Sequence, residues 1–398
     1  MYNFSKRVSL NEKIEGGLYM GRKKIVIIGA GPGGLATAML LSAKGFDVQI
    51  FEKQAYIGGR TSSLLLGEYK FDLGPTFLSM PHILEAIFEE VGRDLHSYVD
   101  IKELKTMYSL AFDDMTIRAT RNREEMVQQI EKYFPGNGKN YERFLKDTRE
   151  KFEILMPILQ NKHDSLMDYI SRRSLKAVPS LDLGKSLYDV LSSYFDDERL
   201  KISFTFQSKY LGMSPWDCPG AFSILSFIEH EYGIFHPIGG INQLTKAMGK
   251  VVEEYGGKIH LGKGVKKLLV EEQRIIGVEL ENGEQFHADD VIMNADFAHG
   301  MSTLIDNVNR KKYRDKSLQK KKYSCSTFMI YAGLKGTVPL DHHTVLFSSD
   351  YKKNVDEITK SMTLSTEPSV YVQNASVTDP TLAPEGIYRP DSLSFIFR

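Results

Sequence analysis

The chain has 398 residues, of which 51 are basic and 51 acidic, so its formal net charge is zero. This length predicts about two domains, and the lack of a basic stripe argues against a nucleic-acid partner. Two cysteines, Cys218 and Cys325, lie far apart, without a CxxC or a histidine cluster. They predict no metal site and no disulfide framework, and they indicate buried, reduced thiols in a cytoplasmic protein.

The first 22 residues are charged and poor in apolar side chains, which is not the pattern of a signal peptide or a membrane anchor. Met20 stands shortly before the first predicted strand. We therefore expect Met20 to be the true start, with residues 1–19 either untranslated or a disordered leader. No run of about 18 apolar residues occurs along the sequence, so no spanning helix is predicted.

Residues 23–53 (KKIVIIGAGPGGLATAMLLSAKGFDVQIFEK) predict a strand, a glycine turn, a helix and a second strand in that order. The apolar run that ends at Ile28 is typical of a buried parallel strand. Gly29, Gly31 and Gly34 would supply a tight turn, a close backbone approach to a pyrophosphate and close helix packing. The NH groups at the start of the helix would point at that pyrophosphate.

The helix is predicted from Leu35 to Lys44, and a second strand from Val48 to Phe51 leads directly into Glu52. Glu52 lies 18 residues after Gly34, which is close to the spacing at which an acid accepts hydrogen bonds from an adenosine ribose. An acid in place of a base favours an unphosphorylated ribose, and so FAD or NAD over NADP. Strand, turn, helix and acid together favour a dinucleotide site over an ordinary glycine turn.

Gly58, Gly59 and Arg60 follow this acidic strand, and the run DLGPT comes at residues 72–76. A double glycine followed by arginine at this place resembles the second fingerprint of the FAD-dependent amine oxidase and carotenoid desaturase superfamily. The resemblance implies that the backbone turns under the flavin and that Arg60 lies near the phosphates and ribitol. A guanidinium offers forked donors to phosphate oxygens, and glycine leaves room for the approach. FAD is therefore the expected cofactor, with NAD as a less favoured alternative.

Residues after this fingerprint predict a hairpin and then helices. Met107–Phe112 and Met115–Thr120 flank two aspartates and would form strands joined by a two-residue turn. Three later segments with apolar residues at three- and four-residue spacing are predicted as helices: Asn122–Phe134, Asn140–Gln160 and Ser186–Gly212. Three short apolar runs predict further strands: Ser326–Leu334, Thr344–Ser348 and Ser369–Gln373.

The segment from Met213 to Ile238 contains the only tryptophan together with many other aromatic residues. One interpretation is a buried helix and loop beside the flavin. The other is an interfacial segment that dips into lipid, because aromatic residues favour the membrane boundary. The sequence leaves both alternatives open.

Residues 231–299 resemble the middle of bacterial-type phytoene and dehydrosqualene desaturases. The matching pieces occur in the family's order: the Pro237–Gly240 turn, a helix, Gly264 and Val265 before a strand, the hairpin around Asn282 and Gly283, and Asn294–Asp296. Residues 375–386 (ASVTDPTLAPEG) resemble a later stretch of the same family. The chain is thus identified as a member of the carotenoid desaturase-like flavoproteins. The resemblance implies that the strand with Val265 meets the adenine through backbone groups.

The resemblance implies an α/β fold in which a Rossmann-like FAD-binding domain is interleaved with a mixed sheet-plus-helix substrate domain. We expect the FAD-binding domain in residues 23–80 and 231–300. The substrate domain would comprise residues 81–230, mostly helical with the hairpin, and the strands of residues 301–386. Twelve residues from the fingerprints, the DLGPT run and the later strand are expected to bind FAD: Gly29, Gly31, Gly33, Gly34, Glu52, Lys53, Gly59, Arg60, Gly74, Pro75, Thr76 and Val265.

Residues 387–398 (IYRPDSLSFIFR) do not resemble the family's continuation, which is a hydrophobic strand and, later, a final motif that contacts the flavin. We therefore expect a C-terminal truncation or frameshift with an aberrant end. Apolar faces that the lost segment would cover would then be exposed. Weak FAD binding or poor folding is the expected consequence.

By resemblance, the chain would use FAD to desaturate a long apolar polyene, phytoene or C30 dehydrosqualene, in carotenoid biosynthesis. Peripheral association with the cytoplasmic membrane is implied as well, since carotenoids reside in bilayers. The alternatives are a carotenoid oxidase, an isomerase or an amine oxidase-like enzyme on the same fold, or a non-catalytic truncated remnant. The sequence identifies no catalytic base. Four candidates are expected to be structural: Asp72, His82, His230 and His236.

Overall fold

A computed structural model of the protein describes residues 22–160, 177–324, 327–384 and 392–397. Met20 and Cys325, which carry two of the expectations above, lie outside these ranges. Cys218 is a buried free cysteine, as predicted, and burial raises the pKa of its thiol to about 11. Among the helices of these ranges, none combines the length and the apolar character that crossing a bilayer requires.

A parallel sheet of four strands carries the glycine turn. Its strands are β1 (Lys24–Ile28), β2 (Asp47–Phe51), β10 (Lys258–His260) and β14 (Asp290–Met293). The order across the sheet is β10-β2-β1-β14, so the first strand is central and its apolar run is buried, as predicted. The helices α1 (Pro32–Ala43) and α8 (Asn242–Glu254) pack against each other beside the sheet. Helix α1 begins at Pro32, before the predicted start, because proline suits the first helical position.

A second, antiparallel sheet lies close to β14 and comprises β11 (Val265–Glu271), β12 (Arg274–Leu280) and β13 (Gln285–His287). Its Leu268 and Val278 share a core with Val26 and Phe51 of the parallel sheet. The predicted hairpin is confirmed, with Gly283 in the left-handed region at a φ of 88°.

The largest sheet has six strands and combines distant parts of the chain. Its members are β7 (Tyr108–Ala111), β8 (Thr116–Ala119), β15 (Phe328–Gly333), β16 (His343–Leu346), β17 (Val370–Asn374) and β18 (Ser392–Phe397). The predicted hairpin is confirmed, because the Phe112 NH donates to the Met115 carbonyl across the two-residue turn at 2.9 Å. The strands predicted after residue 326 are confirmed as well. Parallel pairing of β16 with β7 joins the two parts of the expected substrate domain.

Residues 392–397 supply a strand of this sheet. Strand β18 lies between β15 and β17 and is antiparallel to both. Residues 392–397 of the segment expected to be aberrant are thus a paired strand of the sheet, and the expected truncation stays a prediction. The cause of the pairing is tertiary: both neighbouring strands offer a hydrogen-bonding edge that a short apolar segment can fill.

Two of the three predicted helical segments form single helices, α3 (Arg123–Tyr133) and α4 (Gly138–Leu159). The third, residues 186–212, divides into α5 (Leu187–Ser192), α6 (Glu198–Ser203) and a 3₁₀ turn at Phe206–Leu211. Asp197 explains the interruption, because its side chain accepts a hydrogen bond from the Arg199 NH and so caps a new helix.

The remaining elements connect these layers. They are β3 (Ser63–Leu66), β4 (Tyr69–Asp72), β5 (Leu78–Ser79), α2 (Pro81–Glu90), β6 (Ile101–Glu103), α7 (Ile224–Tyr232), β9 (Ile234–Pro237), α9 (Phe297–Leu304), α10 (Asp315–Leu318) and α11 (Tyr351–Asp356). Leu84 and Phe88 of α2 lie in the same core as Ile27 of β1. Helix α2, which the sequence assigned to the substrate domain, therefore packs with the parallel sheet.

The aromatic segment at residues 213–238 forms α7 and β9 inside the molecule. Phe227 is buried in a core of aromatic side chains together with Phe144, Phe195 and Phe204. Trp216 is half-buried and packs against Tyr188, with 5.2 Å between the ring centroids. The burial of Phe227 fits the buried alternative for α7.

Candidate functional site

The glycine turn between β1 and α1 is closed by Asn294, which follows β14. A Cβ added to Gly29 would lie 2.6 Å from the Asn294 backbone oxygen, and one added to Gly33 would lie 2.8 Å from its Oδ1 atom. A Cβ on Gly34 would overlap the Gly29 carbonyl and lie 2.8 Å from Asn294 Nδ2. Larger residues at Gly29 and Gly34 are thus excluded by backbone atoms of the protein itself.

The second glycine pair packs directly onto the first turn. The Gly58 NH donates to the Ala30 carbonyl at 2.9 Å. Gly59 adopts a φ of 53°, and an added Cβ would lie 3.3 Å from the Gly31 Cα. Gly74 is equally close, since its added Cβ would overlap the Arg60 carbonyl. The structure therefore brings the three predicted glycine motifs into one cradle.

Arg60 lies at the surface of this cradle, with 85% of its side chain exposed. Its guanidinium is 3.2 Å from Asp296 Oδ2. Asp296 caps α9 by accepting from the His299 NH. This hydrogen bond and, to a smaller extent, the Arg60 guanidinium lower the pKa of Asp296. An accessible guanidinium near the N-terminus of a 12-residue helix suits a phosphate ligand.

Glu52 is held at the end of β2 by backbone donors. It is 6% exposed, and its two carboxylate oxygens accept from the Ala30 NH at 2.8 Å and the Gln54 NH at 2.9 Å. Each oxygen keeps a further lone pair for a ligand hydroxyl. Val265 begins β11 two residues after Lys263, whose NH donates to the Glu52 carbonyl at 2.8 Å. Glu52 and Val265 are thus neighbours, while the side chain of Lys53 is exposed to solvent.

An apolar groove of about 380 Å³ starts at the cradle. Pro32, Thr61 and Pro75 form its beginning, and apolar side chains of α2 and α8 continue its walls. Among these side chains are Leu84, Ile87, Leu244 and Met248. Phe77 lines the groove next to Pro75. The groove therefore provides a space for a flat or elongated apolar group that is continuous with the nucleotide cradle.

Thr76 faces away from solvent and toward the six-stranded sheet. It is 6% exposed, and its hydroxyl lies 2.7 Å from the Tyr371 hydroxyl on β17. Among the predicted cofactor residues, Thr76 is thus the one whose side chain is hydrogen-bonded to the six-stranded sheet. Its neighbours Gly74 and Pro75 face the cradle and the groove.

Asp379, from the ASVTDPTLAPEG stretch, joins two separate segments through buried hydrogen bonds. It accepts from His236 Nε2 at 3.0 Å and from the Gly239 NH at 2.6 Å. Burial by itself would raise the pKa of Asp379, but the bonds from His236, Thr381 and Gly239 lower it to about 2. His236 has the structural place expected for it.

Asp72 has a comparable structural role nearby. It is 4% exposed and accepts from the Ile241 NH at 2.9 Å. Burial raises the pKa of this carboxyl. Lys70 belongs to the same region, since its ammonium donates to the Gly239 carbonyl. These contacts fix the Pro237–Gly240 turn that precedes α8.

Glu229 on α7 is a buried acid that the sequence analysis missed. Its Oε2 atom accepts from the Tyr108 hydroxyl at 3.0 Å and from Gln207 Nε2 at 2.8 Å. Burial raises the pKa of Glu229 to about 7. The next residue, His230, is a core histidine bonded to the Tyr141 hydroxyl at 3.1 Å, as expected, and burial lowers its pKa to about 3. The available signal was an acid directly after the apolar residues Phe227 and Ile228.

The cradle fits FAD on its own geometry. Glycines cleared of side chains, a helix N-terminus and an exposed guanidinium suit a pyrophosphate, and a backbone-anchored acid suits a ribose. The apolar groove at Pro75 suits an aromatic ring system. Within the described parts of the chain, no group of histidine, cysteine or acidic side chains is placed to hold a metal ion.

Comparison with known proteins gives a consistent result. The family described as flavin containing amine oxidoreductase matches residues 32–320. A "4,4'-diapophytoene desaturase (4,4'-diapolycopene-forming)" from Methylomonas sp is 43% identical over 364 residues, which cover 92% of this chain and 71% of that protein. A "zeta-carotene-forming phytoene desaturase" from Myxococcus xanthus is 36% identical, covering 92% and 70%.

Solved structures are similar at the level of the fold. An oxidoreductase from Methanosarcina mazei has a TM-score of 0.60 and 22% identity, over 94% of this chain and 78% of that one. At this identity the likeness concerns the fold alone, since one fold hosts many chemistries.

Proposed function

We propose a function for this chain from the premise that it belongs to the FAD-dependent flavin-containing amine oxidoreductases, and among them to the carotenoid desaturases. The proposed reaction is the desaturation of a long apolar polyene. The C30 polyene 4,4'-diapophytoene is the first choice of substrate, because identity to a desaturase of that name is 43%, against 36% for the phytoene desaturase above.

One observation carries this proposal: the apolar groove opens directly from the nucleotide cradle at Pro75. An amine substrate would require polar or charged partners, whereas the groove has no charged lining residue among those that the structure describes, and the walls from α2 and α8 are mainly aliphatic, with Thr245 as their polar member. A polyene could lie along these walls with its reacting carbons close to the cradle. The match in chemistry supports a hydrocarbon as the bound molecule.

The residues of the cradle hold the cofactor in this proposal. Glu52 accepts hydrogen bonds from the ribose, Arg60 and the start of α1 bind the phosphates, and Gly59 and Gly74 permit a close backbone approach. Bound there, oxidised FAD supplies the acceptor for a hydride from the polyene. The groove excludes water from the reacting carbons and aligns them, so its contribution is positioning.

A peripheral position on the cytoplasmic membrane is part of the proposal. The hydrocarbon substrate partitions into bilayers, so the groove must receive it from lipid. Ile83 lines the groove and is 40% exposed, which suits an apolar entrance. Binding to liposomes that contain the polyene, followed by flotation, would measure this association.

The experiment that tests the function uses purified protein with added FAD and liposomes loaded with a single polyene. 4,4'-Diapophytoene and phytoene are compared, and products are separated and identified by their absorption spectra. We expect products with longer conjugation, formed faster from the C30 substrate. Reactions without FAD serve as the control. Oxygenated or isomerised products would point to the alternative chemistries, and a folded protein that binds no FAD would contradict the proposal.

A further inference from the structure

Residues 310–322 form a basic segment that the zero net charge of the chain conceals. The segment contains eight basic residues and one acidic residue, Asp315. Because the whole chain has 51 residues of each sign, the rest of the chain is net negative. A block of like charges repels itself and is typical of a surface that binds the opposite charge. The segment therefore indicates an anionic partner.

Arg310 fixes this segment from the interior. Its side chain is buried, and its guanidinium donates to the Tyr313 carbonyl at 3.1 Å and to Asp315 Oδ1 at 2.7 Å. Arg314 Nε donates in turn to the Arg310 carbonyl at 3.1 Å. The one acid of the segment is thus neutralised by its buried base.

The other seven bases of the segment are exposed, and together they form a basic patch. Its members are Lys311, Lys312, Arg314, Lys316, Lys320, Lys321 and Lys322. Within the described ranges, the ion pair of this segment is the one between Arg310 and Asp315, and no base of the patch forms another. Their mutual repulsion is therefore uncompensated inside the protein, and an anionic surface would relieve it.

Exposed apolar side chains accompany the basic patch. Val308 precedes it and is 82% exposed, and Tyr323 follows it and is 64% exposed. Tyr313 lies within the segment and packs edge-on against Phe297, with 4.9 Å between the ring centroids. On a nucleic acid these side chains would stay in water, whereas the interfacial region of a bilayer accepts apolar and aromatic groups beside its phosphates. The combination therefore favours a bilayer of anionic lipids.

The basic patch and the nucleotide cradle are neighbouring parts of the surface. Phe297, which contacts Tyr313, directly follows Asp296 in the chain. The Asp296 carboxylate lies 3.2 Å from the Arg60 guanidinium of the cradle. A partner bound at the patch would therefore lie near the cradle.

We propose that the basic patch, together with Val308, Tyr313 and Tyr323, is the surface by which the protein docks on an anionic bilayer. The inference rests on the proposed function for its choice of a bilayer, and it adds the lipid charge and the residues that bind it. The net negative remainder of the chain is repelled by the same lipids, which orients the protein with the patch toward them.

The test uses the FAD-loaded protein and vesicles without polyene, so it does not depend on turnover. Vesicles of phosphatidylcholine alone are compared with vesicles that also contain phosphatidylglycerol, and bound protein is measured by flotation. We expect binding to the anionic vesicles, reduced at least about tenfold in about 1 M salt, where charges are screened within about 3 Å. Equal binding to both kinds of vesicle would overturn the inference.

A triple variant, Lys320→Gln with Lys321→Gln and Lys322→Gln, removes three charges of the patch. Each base near an anionic surface contributes about fivefold to binding, so binding to the anionic vesicles should fall by about 10²-fold. Val308→Ser should lower binding by about tenfold through lost apolar contact, with an unchanged dependence on salt.

The matched control replaces three exposed lysines elsewhere in the chain, as Lys105→Gln with Lys139→Gln and Lys146→Gln. This control should bind within about threefold of wild type, because its charges lie outside the screening distance of the docked lipids. Equal losses in the control and the patch variant, or no loss in the patch variant, would overturn the inference.

FAD affinity and thermal unfolding should match those of wild type in all of these variants. Weaker FAD binding by the patch variant would assign its lysines to the cofactor and overturn the inference. Displacement of the wild type from anionic vesicles by duplex DNA at equal phosphate concentration would overturn it as well, in favour of a nucleic-acid partner. Wild type that docks through the patch but converts no polyene would overturn the proposed function alone.

Discussion

Asn294 shows how one side chain can determine which residues a distant turn accepts. It follows β14 and lies against Gly29, Gly33 and Gly34. The glycine spacing is readable in sequence because a pyrophosphate requires it. The contact with Asn294 is not readable, because it joins positions that only the parallel pairing of β1 with β14 brings together.

Replacing Gly34 by alanine should abolish FAD binding at concentrations that saturate the wild type. The added methyl group would overlap the Gly29 carbonyl and displace the turn. Titration of the purified variant with FAD, followed by the change in flavin absorbance, measures the effect.

The control for this variant is Gly45→Ala, at the end of α1. Gly45 has a φ of 86° and open space around its Cα, so alanine should cost about 1 kcal/mol of stability through backbone strain. FAD binding should persist in this variant. Loss of binding in both variants, or retention in both, would contradict the assigned role of the turn.

Among the elements, those with a clear local pattern were predictable, whereas strand β18 and the division of residues 186–212 were not. The hairpin β7–β8 and the helices α3 and α4 follow from turn residues and apolar spacing. The segment 186–212 has similar spacing, but the cap at Asp197 starts a separate helix. Strand β18 exists through its two neighbours, which are distant in sequence.

The junction at Asp379 predicts a stability effect that depends on pH. The carboxyl has a pKa of about 2 in the folded protein, against 3.8 for an unperturbed aspartate. A carboxyl with a depressed pKa stabilises the folded state at pH values above the pKa that it has in the unfolded chain. This contribution, about 2 kcal/mol, is lost as the pH falls toward 2. Asp379→Asn should therefore destabilise the protein at pH 7 by about 2 to 3 kcal/mol.

Chemical denaturation at pH 7 and at pH 3 would measure this difference, which should shrink at the lower pH. Asp350→Asn is the matched control, because Asp350 caps α11 from an exposed position and asparagine caps equally well. A constant difference between Asp379→Asn and wild type across this pH range would rule out the ionised Asp379 carboxylate as its source.

At the scale of the whole molecule, the parallel sheet and the six-stranded sheet are each built from segments that are distant in sequence. The parallel sheet combines residues before 52 with residues after 257, and the six-stranded sheet does the same around residues 108–119 and 328–397. The division into an FAD-binding and a substrate domain stays a prediction. Helix α2 lies with the parallel sheet, although the sequence suggested otherwise.

FAD should stabilise the whole molecule by binding the folded form. At a concentration 100 times its Kd, the expected gain is about 2.7 kcal/mol. Thermal unfolding should therefore shift upward with FAD until the site is saturated. NAD at the same concentration should have a smaller effect, and Gly34→Ala should respond to neither. An equal shift with NAD would support the less favoured cofactor.

The sequence by itself determined the nucleotide-binding unit and the family, because these depend on local order: strand, glycines, helix and acid within about 30 residues. The expected FAD-contacting residues of the glycine motifs were brought together in one cradle. The tertiary structure alone decided the apolar groove, the Asp379 junction and the burial of Glu229. Each of these arises from side chains of several distant segments, and the cost of burying an acid depends on neighbours that are adjacent only after folding.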